Sequence, residues 1–169
     1  MAVMKLTQIK AVFFDCDGVF TDGKITFDAE GREMRTYDMQ DGMGVTLLRK
    51  AGIFVSVMSS SYGGSIEKRM DMLKVEHTYT RVKNKADLIK EVCEAEGFDL
   101  AEVAFVGDDL VDVPPMEIVG YPIAVQNAVP AVKKVARFVT EQSGGAGAVR
   151  EIAENILGEQ KTFIGEAQQ

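Results

Sequence analysis

The sequence predicts an α/β fold with a doubly wound, mainly parallel sheet, and three observations lead there. Largely apolar runs recur at 11–14, 53–58, 103–106 and 121–125. Stretches with helical spacing of apolar residues fall between and after them, at 42–51, 63–73, 84–96, 114–118, 128–135 and 146–157. The apolar runs do not alternate strictly with polar residues, as expected of strands covered on both faces. Strand and helix in succession make parallel β-α-β units, whose right-handed crossovers send helices to both faces of the sheet.

Taken in order, the first strand is Ala11 to Phe14, followed at once by Asp15-Cys16-Asp17. Next comes "GKITFDAEGREMRTYDM", with extended pieces at 24–27 and 33–39 around Asp28-Ala29-Glu30-Gly31. Glycine at a turn position between two such pieces marks a β-hairpin. It follows the first strand directly, so it stands beside that strand's end. The strand "IFVSVM" runs into Ser59, Ser60 and Ser61. Lys85 opens a helical pattern with Asn84 as its cap. The strand "VAFV" runs into Gly107, Asp108, Asp109 and, slightly later, Asp112. In open parallel sheets ligands sit outside the carboxyl ends of the strands. Asp15, Ser59 and Asp108 therefore share one rim. The organisation is a single domain over 1–158, with a hairpin flap at 24–39 and a polar, frayed tail at 159–169.

Composition excludes several function classes. At 46% hydrophobic and 27% charged residues the chain is an ordinary globular one. A formal net charge of −7 argues against nucleic acid, whose binding rests on neutralising many phosphates. No apolar run approaches the roughly 18 residues of a membrane span. The two cysteines, Cys16 and Cys93, form no C-x-x-C pair, and no signal peptide is evident, which together indicate a reducing cytoplasm. The single histidine, His77, leaves no Ser-His-Asp arrangement to consider, and Cys16 has no histidine partner to activate it.

The chemistry lies in the two acidic clusters. Asp15 and Asp17 repel one another unless a cation or proton intervenes. One such cluster alone is ordinarily a solvated turn or a helix cap. Two clusters, each following a buried strand, reverse that preference, because acids at the ends of two parallel strands can converge on one cation. Oxygen ligands beside a phosphate suit Mg²⁺. A lysine at position 85 facing the same rim would neutralise a phosphate, and the Ser59 hydroxyl with nearby N–H groups would hold its oxygens; taken singly, the first reads rather as a solvated lysine and the second equally as a serine-rich turn.

These residues, Asp15-Cys16-Asp17-Gly18-Val19-Phe20-Thr21-Asp22-Gly23, Ser59, Lys85 and Gly107-Asp108-Asp109 with Asp112, resemble in order the four motifs of the haloacid dehalogenase-like (HAD) phosphatases. Three further stretches are similar to the capless branch typified by 3-deoxy-D-manno-octulosonate 8-phosphate (KDO 8-phosphate) phosphatase. They are Tyr37-Asp38 with Asp41-Gly42 and Gly44, Pro114 with Met116-Glu117, and Gly144-Gly145 with Gly147-Ala148-Val149-Arg150. The resemblance covers residues 8 to 158 and implies a Rossmann-like, HAD-like sheet with no cap domain.

It implies a mechanism as well. Asp15 attacks phosphorus and forms an aspartyl-phosphate. Asp17 protonates the leaving oxygen and then activates water. Mg²⁺ is held by Asp15, the backbone carbonyl of Asp17 and Asp108, with Asp109 and Asp112 supporting from behind. Ser59, Ser60 and Lys85 bind the phosphate, and Arg69, Asp41 and Gly42 belong to the substrate side. The substrate is a small phosphorylated metabolite, and relatives of this branch form homotetramers.

The sequence departs from the branch at two places. The hydroxyl of its second motif is followed there by Gly-Arg, and here by Ser60-Ser61; its Phe-Asn is here Tyr37-Asp38. Loss of an arginine, gain of a negative charge, and Phe20, Phe27 and Tyr37 nearby lead to an expected preference for neutral or aryl phosphomonoesters. A phosphatase-type subunit of a phenylphosphate carboxylase is the corresponding alternative. A non-catalytic oligomerising or regulatory module is a second, although such modules can lose the nucleophile or lysine that this chain retains.

Overall fold

The structure, a computed structural model, describes residues 8–158. The tail expected at 159–169 lies outside the described residues. In chain order the strands are β1 (Ala11–Asp15), β2 (Thr26–Phe27), β3 (Glu33–Met34), β4 (Phe54–Met58), β5 (His77–Tyr79), β6 (Val103–Gly107), β7 (Tyr121–Ala124) and β8 (Phe138–Val139). The helices are α1 (Met39–Lys50), α2 (Gly64–Met72), α3 (Lys85–Glu96), α4 (Val113–Ile118), α5 (Pro130–Val135) and α6 (Ala148–Gly158).

Six strands form one parallel sheet in the order β5-β4-β1-β6-β7-β8. β1 sits in its interior because Ala11 to Phe14 are apolar and carry nothing that needs water. All five residues of β1 and all five of β6 are buried. Phe14 meets Phe20 edge-on with ring centroids 5.3 Å apart, which fixes the loop after β1 over the core. Each such buried side chain contributes about 1.5–3 kcal/mol from leaving water. α1 packs on α6, and α3 and α5 pack on α4. Right-handed crossovers place the first pair and the second group on opposite faces.

The chain moves outward from β1 through β4 to β5, and returns to β6 on the other side before running outward again to β8. The reversal opens a crevice at the carboxyl ends of β1 and β6. Register places it: Asp15 lies opposite Met58, and Phe14 opposite Val106. Asp15, Ser59 and Asp108 thus leave the sheet at nearly the same level.

Several boundaries differ from the sequence expectation. β8 has two residues and was not expected; β5 has three. Neither is long enough to show a period. The hairpin ladder is confined to 26–27 and 33–34 rather than 24–27 and 33–39. Its turn is held by Asp28, whose carboxylate accepts the N–H groups of Glu30 and Arg32. Residues 35–38 leave the ladder because Asp38 is a helix cap, accepting the N–H groups of Gln40 and Asp41. α1 therefore begins at Met39, ahead of the expected 42. The Asp38 charge, expected near the pocket, is spent on this cap.

Candidate active site

The crevice at the ends of β1 and β6 holds a cavity of about 200 Å³. Asp15, Asp17, Lys85, Asp108 and Asp109 line it, together with Ser59, Ser60 and Ser61. The sequence-predicted nucleophile, acid, phosphate ligands and metal ligands are thus brought together. Asp112, at 0% exposure, lies behind them.

Lys85 is the centre of the arrangement. It is the first residue of α3, whose cap is Asn84, accepting the Asp87 N–H at 3.2 Å. The cap fixes the start of the helix and so the direction of the lysine. Its Nζ lies 2.8 Å from Asp15 Oδ1 and donates to Asp112 Oδ1 at 2.6 Å. Burial works against its charge, yet Asp15 and Asp112 more than offset this and raise its pKa. Asp112 is anchored in turn: its other oxygen accepts the N–H groups of Asp108 at 2.9 Å and Asp109 at 3.3 Å. The Asp109 carboxylate accepts the N–H of Leu110.

Gly18 is required where it stands. Its φ is +84°, and a Cβ there would overlap the Asp108 carboxylate. Its N–H donates to Thr21 Oγ1, which also accepts from Gly23, closing the loop after β1 into a rigid turn. The Asp15 carboxylate additionally accepts the Cys16 N–H at 2.7 Å.

The electrostatics are unbalanced. Oxygens of Asp15, Asp108 and Asp112 lie within 4.8 Å of one another, and among the described residues Lys85 is the cation that bridges two of them, Asp15 and Asp112. Burial first, then the Asp112 charge, push the Asp15 carboxyl up to about 8 despite Lys85. Burial, Asp112 and Asp109 push Asp108 up to about 7. An oxygen-only donor set with excess negative charge fits a hard divalent cation, which would remove the repulsion. Cys16 is buried, and burial with the adjacent aspartates raises its thiol pKa, so it is not a thiolate nucleophile. His77 packs at a tilt against Phe54, with ring centroids 4.4 Å apart, and does not line this cavity.

Arg35 was not singled out from the sequence. It follows β3, its side chain is fully buried, and it clamps Asp17: Nε to Oδ1 at 2.6 Å and an Nη to Oδ2 at 3.2 Å. Glu33 and Ser65 hold the other side of the guanidinium. A charged residue in a polar hairpin reads as solvated, so nothing in "EMRTY" signals this role.

Three expected substrate-side residues lie elsewhere. Asp41, 1% exposed, accepts the N–H groups of Gly147 and Arg150 and so ties α1 to the start of α6. Gly42 packs against the Arg69 guanidinium, which donates to the Asp38 carbonyl and lies over the Tyr37 ring. None of the three lines the Asp15 cavity. A larger hollow of about 860 Å³ lies between β8 and α6. Its charged groups are partly engaged with one another, Glu151 with the N–H groups of Glu141 and Gln142 and Arg150 with Glu154, and among the described residues it holds no comparable acidic cluster.

The chain has relatives among known proteins. Residues 73–152 match the haloacid dehalogenase-like hydrolase family. The chain is 34% identical over 155 residues to the 3-deoxy-D-manno-octulosonate 8-phosphate phosphatase KdsC of Escherichia coli K12, covering 92% of this chain and 82% of that one. It is similar to the same phosphatase from Moraxella catarrhalis, whose crystal structure contains magnesium, phosphate and KDO. There the TM-score is 0.91 and the identity 31%, over 94% of this chain and 91% of that one. The cobalt-bound phosphatase from Haemophilus influenzae gives a TM-score of 0.91 at 32% identity, over 98% of each chain.

Proposed function

This chain belongs to the haloacid dehalogenase-like hydrolases and is a phosphatase, and from that premise we propose that it hydrolyses a small phosphorylated sugar acid of the KDO 8-phosphate type through an aspartyl-phosphate on Asp15. The observation that carries this reading is the bridge of Lys85 between Asp15 and Asp112 at the rim of the cavity, with Asp108 alongside. The aryl-phosphate and non-catalytic readings draw no support from the relatives described above.

In the proposed reaction Asp15 attacks phosphorus in line with the leaving alkoxide. Asp17 gives the leaving oxygen a proton, then takes one from the water that cleaves the acyl phosphate; such acid–base help is typically worth ~10²–10⁴-fold. For this, one Asp17 oxygen must turn from Arg35 toward the substrate. Ser59, Ser60 and Lys85 hold the phosphate oxygens. Asp109 and Asp112 hold the loop after β6 in place. Asp15, Asp108 and the Asp17 carbonyl would hold Mg²⁺, which supplies charge compensation for the transferring phosphoryl group.

Purified protein is expected to release phosphate from KDO 8-phosphate in Mg²⁺ and to lose that activity in excess chelator. Because Asp15 and Asp108 carry raised pKa values, protons compete with the cation. The Mg²⁺ concentration giving half-maximal rate should therefore fall as pH rises from about 6 to about 8. Without metal, stability should fall as pH rises from the ordinary carboxyl value of 3.8 toward 8, since the unfolded chain ionises these acids and the folded chain resists it. Full activity in chelator, across a panel of phosphomonoesters, would remove the metal from the scheme.

A homotetramer built around the hairpins is part of the same reading. Among the described residues β2 and β3 pair only with each other, and Ile25, Phe27 and Met34 on this ribbon are exposed. An isolated two-stranded ribbon is marginal in water, and mutual packing of several would bury these side chains. Light scattering at assay concentration is expected to give four chains; a fully active monomer would refute it. Among the described residues, no helix is long and apolar enough to cross a membrane.

A further inference from the structure

We infer that Arg81, stacked on Tyr62, is a specificity-determining residue that pairs with an anionic group on the part of the substrate distal to its phosphate. The inference rests on the phosphatase reading above and adds a residue and a contact to it.

Four observations converge on Arg81. The first is its backbone. Arg81 has φ +58°, a left-handed conformation that a glycine would adopt without strain. Among the described residues the only other non-glycine with positive φ is Lys74. Lys74 directly follows Leu73, the cap of α2, where a left-handed residue closes the helix. Arg81 closes no helix; it follows β5. A strained conformation at a functional loop points to a requirement for the side chain.

The second is position. The loops after β4 and β5 are joined by three backbone hydrogen bonds. Ser59 N–H donates to the Tyr79 carbonyl at 2.8 Å, Val82 N–H to the Ser59 carbonyl at 3.0 Å, and Arg81 N–H to the Ser61 carbonyl at 3.1 Å. Ser59 and Ser61 line the cavity that holds Asp15. Arg81 is therefore fixed to the outer end of the loop proposed to bind phosphate.

The third is the stack. The Arg81 guanidinium carbon lies 3.9 Å from the centroid of the Tyr62 ring, and Tyr62 is 57% exposed. Stacking holds the guanidinium plane while leaving its in-plane N–H groups open, the geometry that receives a carboxylate through two parallel hydrogen bonds. The fourth is charge. Among the described residues no carboxylate lies within ion-pair distance of Arg81, although the chain has 26 acidic residues and a net charge of −7. Ser61 itself carries no charge. An oriented guanidinium without an acidic partner, on strained backbone bonded to Ser61 just outside the cavity lining, is equipped to meet an anion arriving with the substrate.

The test compares wild type, Arg81→Gly and Arg81→Lys on two substrates, KDO 8-phosphate, which carries a carboxylate, and 4-nitrophenyl phosphate, which does not. Arg81→Gly relieves the left-handed strain, so it should melt no lower than wild type. Its ratio of kcat/KM for KDO 8-phosphate to that for 4-nitrophenyl phosphate should fall by ~10-fold or more, chiefly through KM. Arg81→Lys keeps the charge but loses the fork, and should fall between the two. An unchanged ratio in Arg81→Gly, with 4-nitrophenyl phosphate still hydrolysed by wild type, overturns the role of Arg81 and leaves the phosphatase reading standing. Failure of the wild type to hydrolyse any phosphomonoester overturns both.

Discussion

Asp15→Asn should abolish nearly all turnover, by ~10⁴-fold or more, while the fold is retained. Asparagine keeps the size of the side chain but cannot attack phosphorus to give an acyl phosphate. The fold should not suffer, because Asp15 is 6% exposed and its charge is opposed by burial and by Asp112. A neutral amide removes that opposition, so the metal-free variant should melt at or above the wild-type temperature. Phosphate release and circular dichroism, measured on the same preparation, check both halves. Wild-type turnover by the folded variant would eliminate the aspartyl-phosphate.

The second large effect is expected from Lys85→Met, and it combines loss of activity with loss of stability. Methionine fills the space of the lysine stem, so the change isolates the charge. Nζ, with 2% of the side chain exposed, is shared between Asp15 and Asp112. Its removal leaves two buried carboxylates facing each other, and breaking a buried pair in this way costs about 3–5 kcal/mol. At roughly 2–4 °C per kcal/mol for a domain of this size, the melting temperature should drop by about 10 °C. The sign of the pH response separates charge from packing. Lowering pH toward 5 should recover part of the loss, because Asp15, whose carboxyl burial and the Asp112 charge already push up, is then protonated more readily in the folded chain than in the unfolded one. A drop in melting temperature that does not change with pH would assign the effect to packing alone. Turnover should fall by ~10²-fold or more, since the phosphate loses its buried cation.

The sequence made the main chemistry legible because strand ends are marked twice, by the close of an apolar run and by the polar residue after it. Asp15, Ser59 and Asp108 each stand at such a point, and a parallel sheet brings such points to one rim. Asn84 was readable for the same reason: a cap residue announces the helix that carries Lys85. Asp38 was not, because the expected start of α1 at 42 hid a cap lying before Met39. Asp41 shows a different limit. Its carboxylate serves the N–H groups of Gly147 and Arg150, over a hundred residues away, and no local spacing carries that information. Arg35 is similar, since its value comes from Asp17 across the hairpin. β5 and β8 were hidden by brevity, being ordered by their neighbours in the sheet rather than by their own period.

The position of β1 has a consequence for how the protein comes to be made. The strand that carries Asp15 is synthesised before the other strands of its sheet, yet it lies between β4 and β6, and β6 begins only at Val103. Until then β1 has one open edge, an arrangement of long-range pairings that is slow to form and exposed to aggregation. A still later piece completes the loop after β1. Gly144 packs so closely on Gly18 that a Cβ there would overlap its carbonyl, and the Gly145 N–H donates to the Val19 carbonyl. A nascent or truncated chain that ends before Asp108 therefore has Asp15 without Asp108 and Asp112, and one that ends before Gly144 has the loop without its support. The cluster of Asp15, Asp108 and Asp112 and the loop beside it are complete only when Gly144 and Gly145 have folded back onto residues 18–22.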